Sequence, residues 1–170
     1  MKINPAVARE VGTYPAPSSS DFDCPESCDC FAEDFDDIRS GCLVELRCSK
    51  VPSRYPLELD CLTINDESIA EYTVQAKQDV LSAIPKGNLL YLDLAFCGFG
   101  AGSGFPRGTP FEGFTALRFL NLEFNSIEEL FDTSFKGLPA LRTLWLTVCL
   151  LSFFFVCLSA TPMLICAYSL

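Results

Sequence analysis

Histidine is absent from all 170 residues. That removes Ser-His-Asp and Cys-His nucleophile pairs, together with the usual zinc-ligand sets. Basic residues are scarce: 12 Lys and Arg stand against 22 Asp and Glu, a formal net charge of −10. A surface of that sign does not neutralise phosphates, which excludes nucleic acid as a partner and disfavours electrostatic docking on anionic lipid. The opening MKINPAVAREVGTYPAPSSS lacks the run of about 7–15 apolar residues that a secretory leader needs. Rich in Pro, Ser and small residues, residues 1–20 read as a disordered lead-in. No N-x-S/T acceptor occurs anywhere, a slight argument against secretion.

Cysteine is abundant by contrast. Ten are present, and their clustering favours an oxidising compartment over the cytosol. A cysteine load of this kind without a leader leads us to expect that the natural start lies upstream and that the chain is truncated at its N-terminus. The hydrophobic fraction of 49%, with 15 Phe, is enough for one domain with a core.

A phrase is repeated. FEGFTALRFLNL at 111–122 returns as FKGLPALRTLWL at 135–146, 24 residues later, with seven of twelve positions identical. A fixed short period with a leucine frame is the mark of a solenoid. The frame L-x-x-L-x-L-x-x-N-x-I/L is complete at Leu117, Leu120, Leu122, Asn125 and Ile127. Leu141, Leu144, Leu146 and Leu151 follow it with Cys149 at the asparagine place. Leu89, Leu92, Leu94 and Phe99 follow it with Cys97 there, and Leu59, Leu62, Ile64 and Ile69 with Glu67 there. The starts are 30, 28 and 24 residues apart. In such a frame L-x-L is a short strand whose alternate side chains point inward, and the Asn amide satisfies backbone groups of the following turn. A thiol is a small stand-in and a weak donor.

Ahead of the frame stands CPESCDC, with Cys24, Cys28 and Cys30, followed by Cys42, Cys48 and Cys61. C-P-x-x-C-x-C before leucine-framed repeats resembles the cysteine-rich amino-terminal cap of extracellular leucine-rich-repeat proteins. The first repeat of a solenoid has no neighbour and needs covering, and so small a cap is stapled by disulfides. The resemblance implies that Cys24 pairs with Cys30, and Cys28 with Cys42 or Cys48, the remaining one being available to Cys61. The rival reading of C-x3-C-x-C as a zinc site suits the acidic surroundings poorly. Eight acids lie between Asp21 and Asp37 without a base. Asp34, Asp36 and Asp37 offer oxygens for calcium, but no EF-hand spacing is present and a solvated acidic loop is the preferred reading.

The expected fold is therefore an α/β solenoid. It is a right-handed leucine-rich-repeat coil of about four repeats with short parallel strands on the concave face, a disulfide cap at 21–58, repeats at 59–149, and an apolar C-terminal helix. Within the first repeat, Ser68-Ile69-Ala70-Glu71 reads as a capping box. Ile69, Tyr72, Ala76, Val80 and Ile84 then share one helical face until Pro85. GFGAGSGFPRGTP at 98–110 lacks the lysine and spacing of a phosphate loop and reads as an irregular connection. Seven cysteines precede Thr143; with Cys97 buried and unpaired, six remain for three bonds.

From Thr143 to Leu170 no residue is charged. Residues 150–170, LLSFFFVCLSATPMLICAYSL, approach the roughly 20 apolar residues that span a bilayer. They are a candidate transmembrane segment, the route by which the chain would meet a membrane. A removable lipid-anchor signal lacks its small-residue site. A third reading is sequence foreign to the repeat array, since the repeat's surface polar places are lost here.

Outward strand positions then define the candidate binding surface: Asp93, Phe96, Asn121, Glu123, Phe124 and Trp145. Aromatics ringed by acids resemble a protein-binding hot spot. Packing of Phe96 and Phe124 on each other or on a flanking loop is the competing reading. Asp93, Asn121 and Glu123 place polar groups on one face, yet nothing gathers them into a catalytic pocket. The expected function is a non-enzymatic protein-binding module, extracellular or at the plasma membrane, with no cofactor and no metal, meeting an unidentified protein through its concave face. The alternatives are a noncatalytic subunit or scaffold of a secreted enzyme complex, or a truncated product without independent function.

Overall fold

Side-chain alternation over very short stretches sets the architecture. A computed structural model of the chain describes residues 24–31, 42–56, 59–102 and 104–146. Six strands form one sheet: β1 (Cys28–Phe31), β2 (Glu45–Cys48), β3 (Cys61–Ile64), β4 (Tyr91–Asp93), β5 (Phe119–Asn121) and β6 (Thr143–Trp145). They lie in sequence order. β1 runs antiparallel to β2, with Cys28 opposite Cys48 and Phe31 opposite Glu45. The other neighbours are parallel, in unbroken register: Leu46, Leu62, Leu92, Leu120 and Leu144 stand side by side.

Those five leucines are buried and open one row of the core. Leu59, Leu89, Leu117 and Leu141 enter from one side, and Ile64, Leu94, Leu122 and Leu146 from the other. Behind them pack Phe99, Phe105, Phe111, Phe114 and Leu138. Each fully buried aliphatic or aromatic side chain contributes about 1.5–3 kcal/mol. The repeated phrase is visible as a repeated contact: Phe111 and Phe135, its first residues, stack with ring centroids 6.0 Å apart and planes at 12°. Its third residue is glycine both times, at φ +92° and +95°. A Cβ on Gly137 would stand 3.0 Å from Glu112 Cα, so the backbones of the two copies approach where only glycine fits.

The right-handed repeat coil with an apolar C-terminal helix is corrected by this architecture. The described residues make a small mixed sheet with a single α-helix, α1 (Val74–Ala83), and its first strand pair is antiparallel. The reason is that the leucine frame dictates strand register but not what connects the strands. After β4 and β5 the connections are glycine- and proline-containing turns with no helix. The lead-in at 1–20 and the tail at 150–170 lie outside the described residues, as do the acids Asp34, Asp36 and Asp37, and Cys149. Among the described residues no helix is long and apolar enough to cross a membrane.

The helical stretch of the first repeat is also divided. Asp66, not the capping-box serine, caps a 3-10 turn over Glu67–Glu71 by accepting from Ser68 N. Tyr72 is extended, and Thr73 starts α1 afresh by accepting from Ala76 N at 3.2 Å. α1 buries Lys77 completely, and its ammonium donates to Ala101 O at 2.8 Å. Burial lowers the lysine's pKa. This bond ties α1 to the glycine-rich segment. There Gly98, at φ +66°, lies so close to Ala70 that any Cβ would overlap it.

Three disulfides staple the first part of the sheet: Cys24–Cys30, Cys28–Cys48 and Cys42–Cys61. Cys28–Cys48 joins directly opposed residues of β1 and β2. Cys97 is a buried free thiol.

Candidate functional site: the open face of the sheet

Away from the leucine row the strands present two columns. One holds Glu45, Cys61, Tyr91, Phe119 and Thr143; the other holds Arg47, Thr63, Asp93, Asn121 and Trp145. The first column is not among the outward positions expected from the sequence, which all follow the first inward leucine of an L-x-L pair. Alternation also sends the residue just before the inward leucine outward, which is where Tyr91 and Phe119 stand.

Tyr91, Phe119 and Trp145 form an aromatic triangle with centroid separations of 6.3, 6.5 and 6.3 Å. With Cys42 and Cys61 they make a second apolar cluster on this face. Beside it Glu45, buried, receives both Nε and Nη2 of Arg47 at 2.6 and 3.0 Å. The Arg47 guanidinium also lies 4.8 Å from the centroid of Phe31. The Thr63 hydroxyl is buried without a hydrogen-bond partner among the described residues.

At the carboxyl ends of β4 and β5 the chain repeats one local device. Asp93 accepts from Ala95 N at 2.9 Å, and Asn121 accepts from Glu123 N at 2.9 Å. A side-chain oxygen that captures the amide two residues on makes an Asx turn. In both cases the next residue is a phenylalanine with left-handed backbone, Phe96 at φ +60° and Phe124 at φ +58°. For a bulky residue this conformation costs about 1–2 kcal/mol. The two rings are 46% and 43% exposed. They stack face to face, centroids 4.4 Å apart and planes at 6°. Phe96 N donates to Glu123 O, which locks one turn on the next.

Asp93 therefore has a structural job. Its Oδ2 also accepts from Tyr91 Oη at 3.0 Å and from Asn121 Nδ2 at 3.3 Å. Asn121 is committed likewise, and of these three polar groups Glu123 is left with no carboxylate partner among the described residues.

Behind this rim the turns are held by buried polar atoms. Asn125 Nδ2 donates to Leu94 O at 2.7 Å and Glu123 O at 3.2 Å, while its Oδ1 accepts from Phe99 N at 3.1 Å. Cys97 fills the equivalent place one strand earlier and donates its thiol proton to Ile64 O at 3.1 Å. Burial first, then the Asp66 and Asp93 carboxylates, push that thiol up to about 12. Burial, with the Cys97 sulfur adding, raises the phenol of Tyr55, whose hydroxyl has no hydrogen-bond partner among the described residues. Burial would push Asp66 up as well. Hydrogen bonds from the Ser68 hydroxyl, Val51 N and Ser68 N, with Lys50 nearby, outweigh it and leave the carboxyl below its ordinary value.

Cys42, Cys61 and Asp60 bring two sulfurs and a carboxylate oxygen within 4.8 Å of one another. The sulfurs are consumed by their own disulfide, and both Asp60 oxygens hold backbone amides, from Leu43 and Val44, each at 2.8 Å. The cluster is a staple for residues 42–44 against β3.

No family model matches the chain, and no curated protein and no solved structure matches it.

Proposed function

We propose that this protein is a non-enzymatic protein-binding module of the extracellular space or cell surface, taking a partner protein on the open face of its sheet. The observation that carries the reading is the Phe96–Phe124 pair. Two large apolar side chains, packed on each other, remain nearly half exposed, in a backbone conformation that costs energy, on turns built twice in the same way. Strain kept at a surface position invites a functional account. Aromatics at a rim of polar groups are the composition of interface anchors.

Three disulfides are compatible with an extracellular location. Kinship with extracellular leucine-rich-repeat proteins enters the proposal through the cysteine spacing and leucine phrase alone. Against catalysis stands the use of Asp93 and Asn121 as turn caps.

The test is a binding screen of the purified full chain against an array of purified secreted proteins and ectodomains. It is run in parallel with Phe96→Ser and Phe124→Ser. A partner using this face loses at least about tenfold in affinity, about 1.4 kcal/mol, with each variant, while the melting temperature stays close to that of the parent. Partners that bind parent and variants equally, or variants that unfold, would show that the rings belong to the fold and not to an interface.

A further inference from the structure

We propose that the stacked Phe96–Phe124 pair is a receptor for the guanidinium group of an arginine on the partner protein, with the Glu123 carboxylate as its counter-charge. This rests on the reading of the open face as a protein-binding surface and names the chemistry that the surface selects.

Three observations converge. The first is internal precedent. Elsewhere in the molecule phenyl rings carry a cation of the same chain: Arg47 over Phe31 at 4.8 Å, Lys86 over Phe114 at 5.3 Å and Arg107 over Phe131 at 5.0 Å. The most exposed rings, Phe96 and Phe124, have no such cation among the described residues.

The second is geometry. The rings stack on each other at 6°, which takes one face of each, and the two residues stay 46% and 43% exposed. A flat, weakly hydrated guanidinium laid on the exposed part of this pair gains from the ring quadrupoles and leaves its N–H edge for a carboxylate. An ammonium is a compact, strongly hydrated charge and gains less from a flat platform. The turns hold the rings in place, since Asp93 and Asn121 cap them and Phe96 N is tied to Glu123 O.

The third is charge. Glu123 immediately precedes Phe124 and has no carboxylate partner among the described residues. Asp93 lies three residues before Phe96, and the whole chain carries −10. The guanidinium of Arg47 on the same face is engaged by Glu45. An incoming arginine therefore meets an aromatic pair whose adjoining residue carries a carboxylate not used by the fold among the described residues, while anionic ligands are repelled.

The experiment uses the full chain and three capped peptides of equal length, alternating glycine with arginine, with lysine, or with citrulline. Citrulline has the shape of arginine without the charge. Affinities are measured by calorimetry at low and at physiological salt. The arginine peptide is expected to bind at least about tenfold tighter than the other two, and Glu123→Gln to weaken it about tenfold. Phe96→Ser/Phe124→Ser, which leaves the net charge unaltered, is expected to erase the preference for arginine over lysine. Phe124→Leu, which keeps an apolar side chain, is the second variant should the double one fail to fold, and it too should lose the preference. Equal binding of arginine and lysine peptides, indifferent to the ring variants, would assign the attraction to the general acidic field and overturn the proposal. So would no binding at all. A protein partner that depends on Phe124 while the peptides show no choice leaves the binding surface standing and removes the arginine.

Discussion

Replacing Asn125 by Ala tests whether the turns behind the open face are held by side-chain amides. Asn125 is fully buried and makes three hydrogen bonds: Nδ2 to Leu94 O and Glu123 O, and Phe99 N to its Oδ1. Truncation strands Phe99 N and Leu94 O in the interior, at about 1–3 kcal/mol for each orphaned group. Glu123 O keeps its bond from Phe96 N. The expected loss is about 2–6 kcal/mol, a large part of the roughly 5–15 kcal/mol that holds a domain together. The assay is urea unfolding followed by far-ultraviolet circular dichroism, with the slope checked for constancy so that the midpoint shift reports stability. Asn125→Cys is the informative companion. Cys97 performs the equivalent task with its thiol on Ile64 O, so a thiol at 125 should restore the bond to Leu94 O but not the acceptor for Phe99 N. Its loss should fall between parent and Asn125→Ala. A loss below about 1 kcal/mol for Asn125→Ala, or no difference between the two variants, would refute the reasoning, because unpaired buried amides cannot be that cheap.

Two further outcomes follow from ionisable groups. Cys97, buried and with its thiol pushed up to about 12, should resist alkylation in the native chain at pH 8 and react within the dead time in denaturant. Labelling of the native protein at Cys97 would contradict its burial. Asp66 has a depressed folded-state value, so its stabilisation is present above the unfolded value of 3.8 and is lost as pH falls through the folded one. Asp66→Asn should be less stable than the parent at pH 7, and its stability should change less on acidification from pH 5 to pH 2. Parallel acid curves for the two would sink that account.

Strands β3 to β6 were legible in the sequence, unlike β1 and β2, because an inward leucine flanked by outward residues has only one reading at period two. The register Leu62–Leu92–Leu120–Leu144 follows from the frame alone. The connections were legible only in part: 98–110 is the irregular segment expected, with no helix, but the stretch after β3 is not the single helix its letters suggest. Ser68-Ile69-Ala70-Glu71 has the letters of a capping box, yet Asp66 sits two residues earlier and captures Ser68 N first. Thr73 then offers a second cap, and two short elements replace one. Overlapping local caps of similar strength are decided by packing, which a pattern of letters does not contain. The larger misreading has the same origin: a leucine frame says where strands pair and is silent on whether helices back them.

The candidate site divides in the same manner. Phe96 and Phe124 could be found because each falls at the same offset after an inward leucine. Tyr91 and Phe119 could have been found from alternation in the other direction. That Asp93 and Asn121 serve as turn caps, and that Lys77 is an interior cation bonded to Ala101 O, required coordinates. The letters of an Asx turn are indistinguishable from those of an exposed polar residue.

The three disulfides interlock. Cys24–Cys30 overlaps Cys28–Cys48, and that bond overlaps Cys42–Cys61. Every peptide bond from Cys24 to Cys61 is therefore bridged by at least one sulfur link. A protease that nicks the chain once anywhere in this stretch severs the backbone without releasing a fragment. The clipped molecule keeps its mass under non-reducing conditions, apart from one added water, and comes apart into two pieces only when the sulfurs are reduced.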